Sequence, residues 1–245
     1  MKGKAVSLVG VLILSACAAG PEPAGPALPP GPDHGRIEQG VYHDMRGWYK
    51  IALPLHPGDE GYSSLYVEDD YPKNVSFVGF TPFYDENRGY ISTYTTGEYY
   101  RAYVEDFYAN GHLVPELPQL ADMAMVYFGK LMAQQRVEPL RLVEEKPWRM
   151  GTTSGLMRFY TQKVPMDLVV QNLGMGDDYT AYMLVYVTSE RGKAAVVWAE
   201  WPVGCAPCKP VPAGPTAATD DPIDQALAAN ARAGAFIASF QYGPV

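Results

Sequence analysis

Between Thr180 and Thr188 the side chains alternate in a way no surface strand needs: Tyr182, Leu184 and Tyr186 leave one side, Met183, Val185 and Val187 the other, and both sets are apolar. Successive side chains of a strand point to opposite faces, so a segment that is apolar on both requires cover on both. That requirement confines the chain to layered architectures in which a sheet is packed above and below. Ala194 to Trp201 is a second strand of similar composition. Ser189-Glu190-Arg191-Gly192-Lys193 between them is expected to form a five-residue hairpin loop.

Further strands are expected at Trp48 to Leu53, Ser64 to Glu68, Val75 to Phe80 and Gly89 to Thr95, which are short, rich in Tyr, Phe and Val, and bounded by Gly, Pro, Asp and Asn. Asp85-Glu86-Asn87-Arg88-Gly89 supplies residues that tolerate the positive φ of a hairpin turn. Leu140 to Glu145 and Gly155 to Lys163 add two more strands, with Thr152-Thr153-Ser154-Gly155 as a turn before the second. Helical spacing appears three times. Tyr99, Tyr100, Tyr103, Val104, Phe107 and Tyr108 predict a helix over Glu98 to Tyr108, ended by Gly111. Leu120, Met123, Ala124, Tyr127, Phe128, Leu131 and Met132 form the apolar stripe of a helix from Pro118 to Gln135. Asp221-Pro222 opens an Ala-rich helix to about Ser239, with Leu227, Ala231, Ala235 and Phe236 toward the sheet. The set predicts one α+β domain over residues 36–245, an antiparallel sheet sandwiched with helices as an α/β/α sandwich.

Ahead of that body stand two segments with no core to offer. Ala18 to Pro32 alternates Pro21, Pro23, Pro26, Pro29, Pro30 and Pro32 with Ala and Gly. Such composition favours extended polyproline II at about 3.1 Å per residue, so these fifteen positions reach roughly 45 Å within a tether that spans residues 17–35. Residues 1–16 combine Lys2 and Lys4, an apolar run from Ala5 to Leu14 and a small-residue site, the build of a secretory signal too short to span a bilayer. Leu14-Ser15-Ala16-Cys17 resembles the lipobox of bacterial lipoproteins. The resemblance implies cleavage before Cys17, a diacylglyceryl group on its sulfur and an acyl chain on the new amino terminus, so that the membrane partner is reached through lipid. Ala18, where inner-membrane lipoproteins commonly carry Asp, implies the outer membrane, facing the periplasm.

Charge narrows the partners. The chain has 19 basic and 27 acidic residues, a formal charge of −8, and loss of Lys2 and Lys4 with the leader takes the mature chain to −10. No Lys/Arg cluster offers a phosphate-binding face, which excludes nucleic acid, and an acidic body is expected to repel anionic lipid.

The order of elements, the strand pair around Gly155 to Lys163 and the closing Phe236-Ile237-Ala238-Ser239-Phe240 resemble the PsbP/Mog-like superfamily over about residues 45 to 242. The segment from Pro165 to Asp178 departs from that compact pattern. This resemblance implies a binding or assembly module with no shared catalytic residues.

One constellation points to chemistry. Cys205-Ala206-Pro207-Cys208 resembles the CxxC of thioredoxin-like oxidoreductases, but Pro210, Pro212 and Pro215 cannot continue as the helix those enzymes place after it. A structural disulfide between Cys205 and Cys208 is expected in an oxidising compartment, contributing about 2 kcal/mol by closing its small loop. A redox pair is the alternative, and zinc would need two further ligands.

Elsewhere no metal, cofactor or catalytic residue is expected. His34, His43, His56 and His112 have no ligand spacing. The acidic doublets Asp69-Asp70, Asp177-Asp178 and Asp220-Asp221 read as solvated turns, because calcium takes six to eight oxygens. Glu144 and Glu145 are adjacent on a strand and would face opposite ways. Gly174-Met175-Gly176 is followed by two aspartates that repel phosphate, and no serine has a GxSxG elbow. The sequence therefore favours a membrane-anchored envelope module that binds a protein partner, over a thiol-disulfide protein or an envelope hydrolase with a dispersed site. Its 18 tyrosines and 4 tryptophans, many in strands, are the available binding chemistry.

Overall fold

The computed structural model describes residues 34–55, 65–85, 93–95, 98–134, 139–150, 153–164, 179–203 and 220–243. A small sheet is made of β1 (Arg36–Glu38), β2 (Val41–His43), β3 (Tyr49–Ala52) and, from the far end of the chain, β12 (Gln241–Tyr242), in that order. The main sheet contains β4 (Leu65–Asp70), β5 (Val75–Asp85), β6 (Thr93–Thr95), β7 (Tyr99–Asp106), β8 (Arg141–Met150), β9 (Thr153–Val164), β10 (Tyr179–Glu190) and β11 (Lys193–Val203). Its order is β4-β5-β7-β11-β10-β9-β8, with β6 on β5, and every pair is antiparallel. Three helices complete the described fold: α1 (Leu117–Gln134), α2 (Pro222–Ala229) and α3 (Ala231–Ala238).

β10 and β11 lie at the centre of the main sheet, as their double-sided apolar pattern demands. Met183, Val185, Val187, Val196 and Trp198 meet Ala121 of α1 on one face. Leu184, Tyr186, Ala195, Val197, Ala199 and Trp201 meet Ile223, Phe236 and Ile237 of α2 and α3 on the other. Tyr42, Tyr49 and Ile51 of the small sheet join that second core. The fold is thus an α+β sandwich, and its second outer layer is shared by two short helices and four short strands. Trp48 to Leu53 belongs to this small sheet.

Several sequence expectations are corrected. Glu98 to Tyr108 is not a helix: Tyr99–Asp106 is a strand between β5 and β11, with Tyr100, Ala102 and Val104 buried and alternate residues half-buried. Its tyrosines satisfied both periods, and the empty slot between two strands decided for the shorter one. The β10–β11 connection is two residues long, because Glu190 still pairs with Lys193. Arg191 at φ 53 and Gly192 at φ 81 make the turn, and Gly192 must be glycine twice over, since a Cβ there would enter the Tyr108 ring at 2.2 Å.

The terminal helix is broken at Asn230, which has φ −138 and ψ 92. Its side chain accepts from Ala233 N at 3.0 Å and donates to the Tyr100 hydroxyl at 3.3 Å, so the residue caps α3 while pinned to the sheet. The break turns the second half of the predicted stripe: Phe236 and Ile237 are buried, Ala231 and Ala235 exposed. In α1, likewise, Leu120 and Ala121 are buried while Met123 is 52% exposed. Asp221 and Pro222 act as anticipated, the Asp221 carboxylate accepting from Ile223 N at 2.9 Å and Asp224 N at 3.1 Å. Thr153 and Ser154 already belong to β9, not to a turn before it. Residues 86–92, within the expected turn and strand near Gly89, lie outside the described residues.

Candidate functional site

Helix α1 lies over β9, β10 and β11. Toward β5 and β7 the same face of the main sheet carries Phe77, Tyr99, Arg101 and Tyr103, all half-buried. The antiparallel register sets them side by side: Phe77 faces Tyr103 and Gly79 faces Arg101. On the other flank Arg101 faces Trp198 and Tyr99 faces Glu200. Gly79 lies between two of these side chains, since a Cβ there would meet the Phe77 ring at 3.3 Å and Arg101 Cγ at an ordinary 3.6 Å. The guanidinium lies 5.1 Å from the Tyr99 ring centroid and 5.6 Å from that of Trp198.

Stacking on ring faces is worth about 0.5–2 kcal/mol to a guanidinium and leaves its N–H edges unused. Among the described residues nothing hydrogen-bonds or ion-pairs with Arg101. Glu200 sits beside it on an otherwise apolar stretch of β11. Burial pushes its carboxyl up to about 6, and Arg101 pulls it partly back. Burial raises the Tyr99 phenol as well, with Glu200 adding to the effect. A stacked cation with open donors, a carboxyl that changes charge near neutrality and three half-buried rings are equipment for holding a polar partner. At the Tyr103 end of the strip the tyrosine hydroxyl donates to Glu105 Oε2 at 2.9 Å.

The raised Glu200 carboxyl has a sign. The folded form holds its proton from the ordinary 4.5 up to about 6 while the unfolded chain releases it, so stability is lost as pH rises across that window. The loss is about 2 kcal/mol, and Glu200→Gln is expected to flatten it when urea midpoints are measured between pH 4 and 7. An unchanged slope in the variant would mean that Glu200 is not the group responsible.

A second polar cluster fixes where the chain enters the body. The Asp69 side chain, wholly buried, accepts from His34 Nδ1 and Gly35 N, each at 2.8 Å, and from the Tyr42 and Tyr71 hydroxyls, each at 2.9 Å. Gly35 lies against the Tyr42 ring so closely that a Cβ would sit 2.3 Å from it. Asp69 is therefore no solvated turn residue, while Asp70 and Asp220 are exposed and Asp221 is a cap. Other ion pairs hold layers together: Arg158 of β9 reaches Asp122 of α1 at 2.6 Å and Glu145 of β8, and Lys146 reaches Asp221 at 2.7 Å. A bulge at Val143 precedes Glu144 and Glu145, and Glu145 is taken up by Arg158.

Cys17, Cys205, Cys208, His56, Asp177, Asp178, Gly174 and Gly176 lie outside the described residues; β11 ends at Val203, two positions before Cys205. His34 is bound to Asp69, His43 is half-buried and His112 is exposed. Arg101 and Glu200 were not anticipated from sequence. A signal existed, because a lone Glu between Ala199 and Trp201 is a charge where the sheet expects an apolar residue.

No family model and no curated protein sequence matches the chain. Among solved structures it is similar to the cyanobacterial PsbP (CyanoP) of Synechocystis sp. PCC 6803, with a TM-score of 0.42 and 16% identity over 89% of this chain and 99% of that one. A variant of Mog1 gives a TM-score of 0.39 and 11% identity over 82% and 93%. LpqN, involved in cell envelope biogenesis of Mycobacterium tuberculosis, gives 0.29 and 12% over 78% and 89%. These are likenesses of an antiparallel α+β sandwich.

Proposed function

We propose that the protein is a lipid-anchored lipoprotein of the bacterial cell envelope, held at the outer membrane through Cys17, whose body is a binding or assembly module. The Arg101 strip is the contact face. The observation that carries this reading is a stacked guanidinium with unused donors on a half-buried aromatic strip, across the sheet from the layer where the tether joins at His34 and Gly35. Exposed apolar area and an Arg anchor are the features that concentrate binding energy at interfaces. Acyl chains contribute about 0.8 kcal/mol per buried methylene, so three hold such a body without a spanning helix.

A photo-crosslinking side chain at Tyr103, in cells of the source, is expected to give one discrete adduct. Arg101→Gln is expected to lower the purified partner's affinity at least tenfold while costing no more than about 2 kcal/mol of unfolding free energy, the worth of its stacking on Tyr99 and Trp198. Saturable turnover of a small substrate by the isolated protein, abolished by one substitution, is the result that would replace binding with chemistry.

Cys205 and Cys208 are expected to be joined in protein taken from the envelope and to resist mild reductants. Thiol trapping across a glutathione series reads this directly. A potential near those of thioredoxin-like catalysts, with disulfide-reducing activity, would favour the thiol-disulfide alternative.

A further inference from the structure

Several connections meet at one end of the sandwich. The hairpin of residues 44–48 is joined to the turn of residues 71–74 by Arg46, whose guanidinium donates to the carbonyls of Val75 at 2.6 Å and of Tyr71 and Pro72, each at 3.0 Å. That turn holds the loop after β7, since Asp106 N donates to Asn74 O at 2.9 Å and Asn74 Nδ2 to Asn110 Oδ1 at 2.6 Å. The loop meets the β10–β11 turn, where Phe107 N donates to Gly192 O at 2.9 Å and Tyr108 lies over Gly192. His112 N returns to Phe107 O at 2.9 Å, so Leu113 leaves from the same level. Met45 at 38%, Tyr108 at 62% and Leu113 at 85% exposed stand on these tips. One exposed apolar side chain is ordinary, whereas three on neighbouring tips make a surface.

Charge does not define this end. Arg191 pairs with Glu190 at 3.2 Å, Lys193 with Asp106 at 3.4 Å and Arg36, beside the hairpin, with Glu38 at 2.8 Å. Exposed Lys73 is outnumbered by Asp70, Glu105 and Glu116, so an anionic surface gains nothing here and what the tips offer is apolar area. The chain also enters the body at this end. His34 and Gly35 are held by Asp69, whose partner Tyr71 begins the 71–74 turn, and 33 residues precede His34.

Resting on the lipid-anchor reading above, we propose that these tips dock the body on the bilayer that carries the anchor, seating Met45, Tyr108 and Leu113 in the boundary between headgroups and acyl chains. The tether delivers this end to the bilayer first and keeps it there at an effective concentration on the order of millimolar. Insertion need then be only weak, and complete burial of one such side chain shifts a partition by about tenfold or more. Protruding side chains on separate tips suit a fluid layer, which closes around each of them, and a tyrosine keeps its hydroxyl among the headgroups. The main-sheet strands lead away from this end, so the docked body carries the Arg101 strip on its flank, open to a partner.

The test uses the lipidated full-length protein with Leu113→Trp, reconstituted in phosphatidylcholine vesicles with and without bromine on the acyl chains. Val203→Trp is the control, because Val203 is exposed at the opposite end of β11 from the β10–β11 turn. Bromine quenches only an indole that reaches the acyl region, and subtracting wild-type emission isolates the one added. With insertion of about 5–10 Å, the Leu113→Trp signal is expected to fall by about half on brominated vesicles, the Val203→Trp signal to stay, and both results to persist in high salt. Adding Tyr108→Asp is expected to remove most of the quenching without moving the urea midpoint, since both positions are exposed. Equal Leu113→Trp emission on the two kinds of vesicle would overturn the docking end. Without vesicles, a blue shift of unacylated protein carrying Cys17→Ser and Leu113→Trp that grows with its own concentration would overturn it in favour of a contact between copies. Fatty-acid labelling of the same preparation separates the two readings: an acylated protein with an unquenched indole sinks the docking end alone, whereas absence of label removes the anchor and the docking end with it.

Discussion

In urea, Phe236→Ala is expected to lose about 4 kcal/mol of unfolding free energy relative to wild type. Phe236 is 1% exposed, and its ring meets Phe80 edge-on at 5.8 Å and Tyr100 edge-on at 5.3 Å, so α3, β5 and β7 all bear on it. Removing the ring forfeits its transfer free energy and leaves a cavity whose walls belong to three elements and cannot close together. Against a total of about 5–15 kcal/mol for a domain, this is a large fraction. Ala235→Ser, one residue away on the exposed side of the same helix, is expected to stay within about 0.5 kcal/mol. Equal midpoints for the two variants would mean that α3 does not pack on the sheet through Phe236.

Asp69→Ala is expected to cost about 3 kcal/mol by a different route. The substitution removes the acceptor of the Gly35 amide and of the Tyr42 and Tyr71 hydroxyls, whose bond to each other can satisfy one of those two donors but not both. Leaving buried donors unpaired costs more than the bonds contributed, so Asp69→Asn, which keeps an acceptor, is expected to recover part of the loss. Hydrogen exchange gives the local readout: Gly35 and the first strand are expected to lose protection before the main sheet does. Uniform loss across the domain would mean that the cluster is part of the global core and not a junction for the tether.

The segments legible in sequence were those whose pattern had one solution. Thr180 to Thr188 could be satisfied only by cover on two faces, and Asp221-Pro222 offered both a cap and a fixed φ at a helix start. Glu98 to Tyr108 had two solutions. Its tyrosines fit a helical stripe as well as an alternating strand, and what chose between them was the pairing of β7 with β5 and β11, contacts remote in sequence. Asn230 shows the same limit. Alanine on either side favours an unbroken helix, and the break comes from a hydrogen bond to Tyr100, 130 positions earlier. The candidate face was hidden for that reason, because Arg101 and Glu200 are 99 positions apart in numbering and become neighbours only in the register of β7 with β11. Asp69 read as solvent-facing because its doublet is acidic, whereas its partners His34, Gly35, Tyr42 and Tyr71 converge only after two sheets meet.

Intact mass of the protein extracted from membranes of its own source, compared with a Cys17→Ser variant, tests the anchored-module account most directly. The account predicts a chain beginning at Cys17 and carrying diacylglyceryl and acyl mass, recovered in the membrane fraction, with the variant unacylated. A wild-type chain that begins elsewhere or carries no lipid would contradict it.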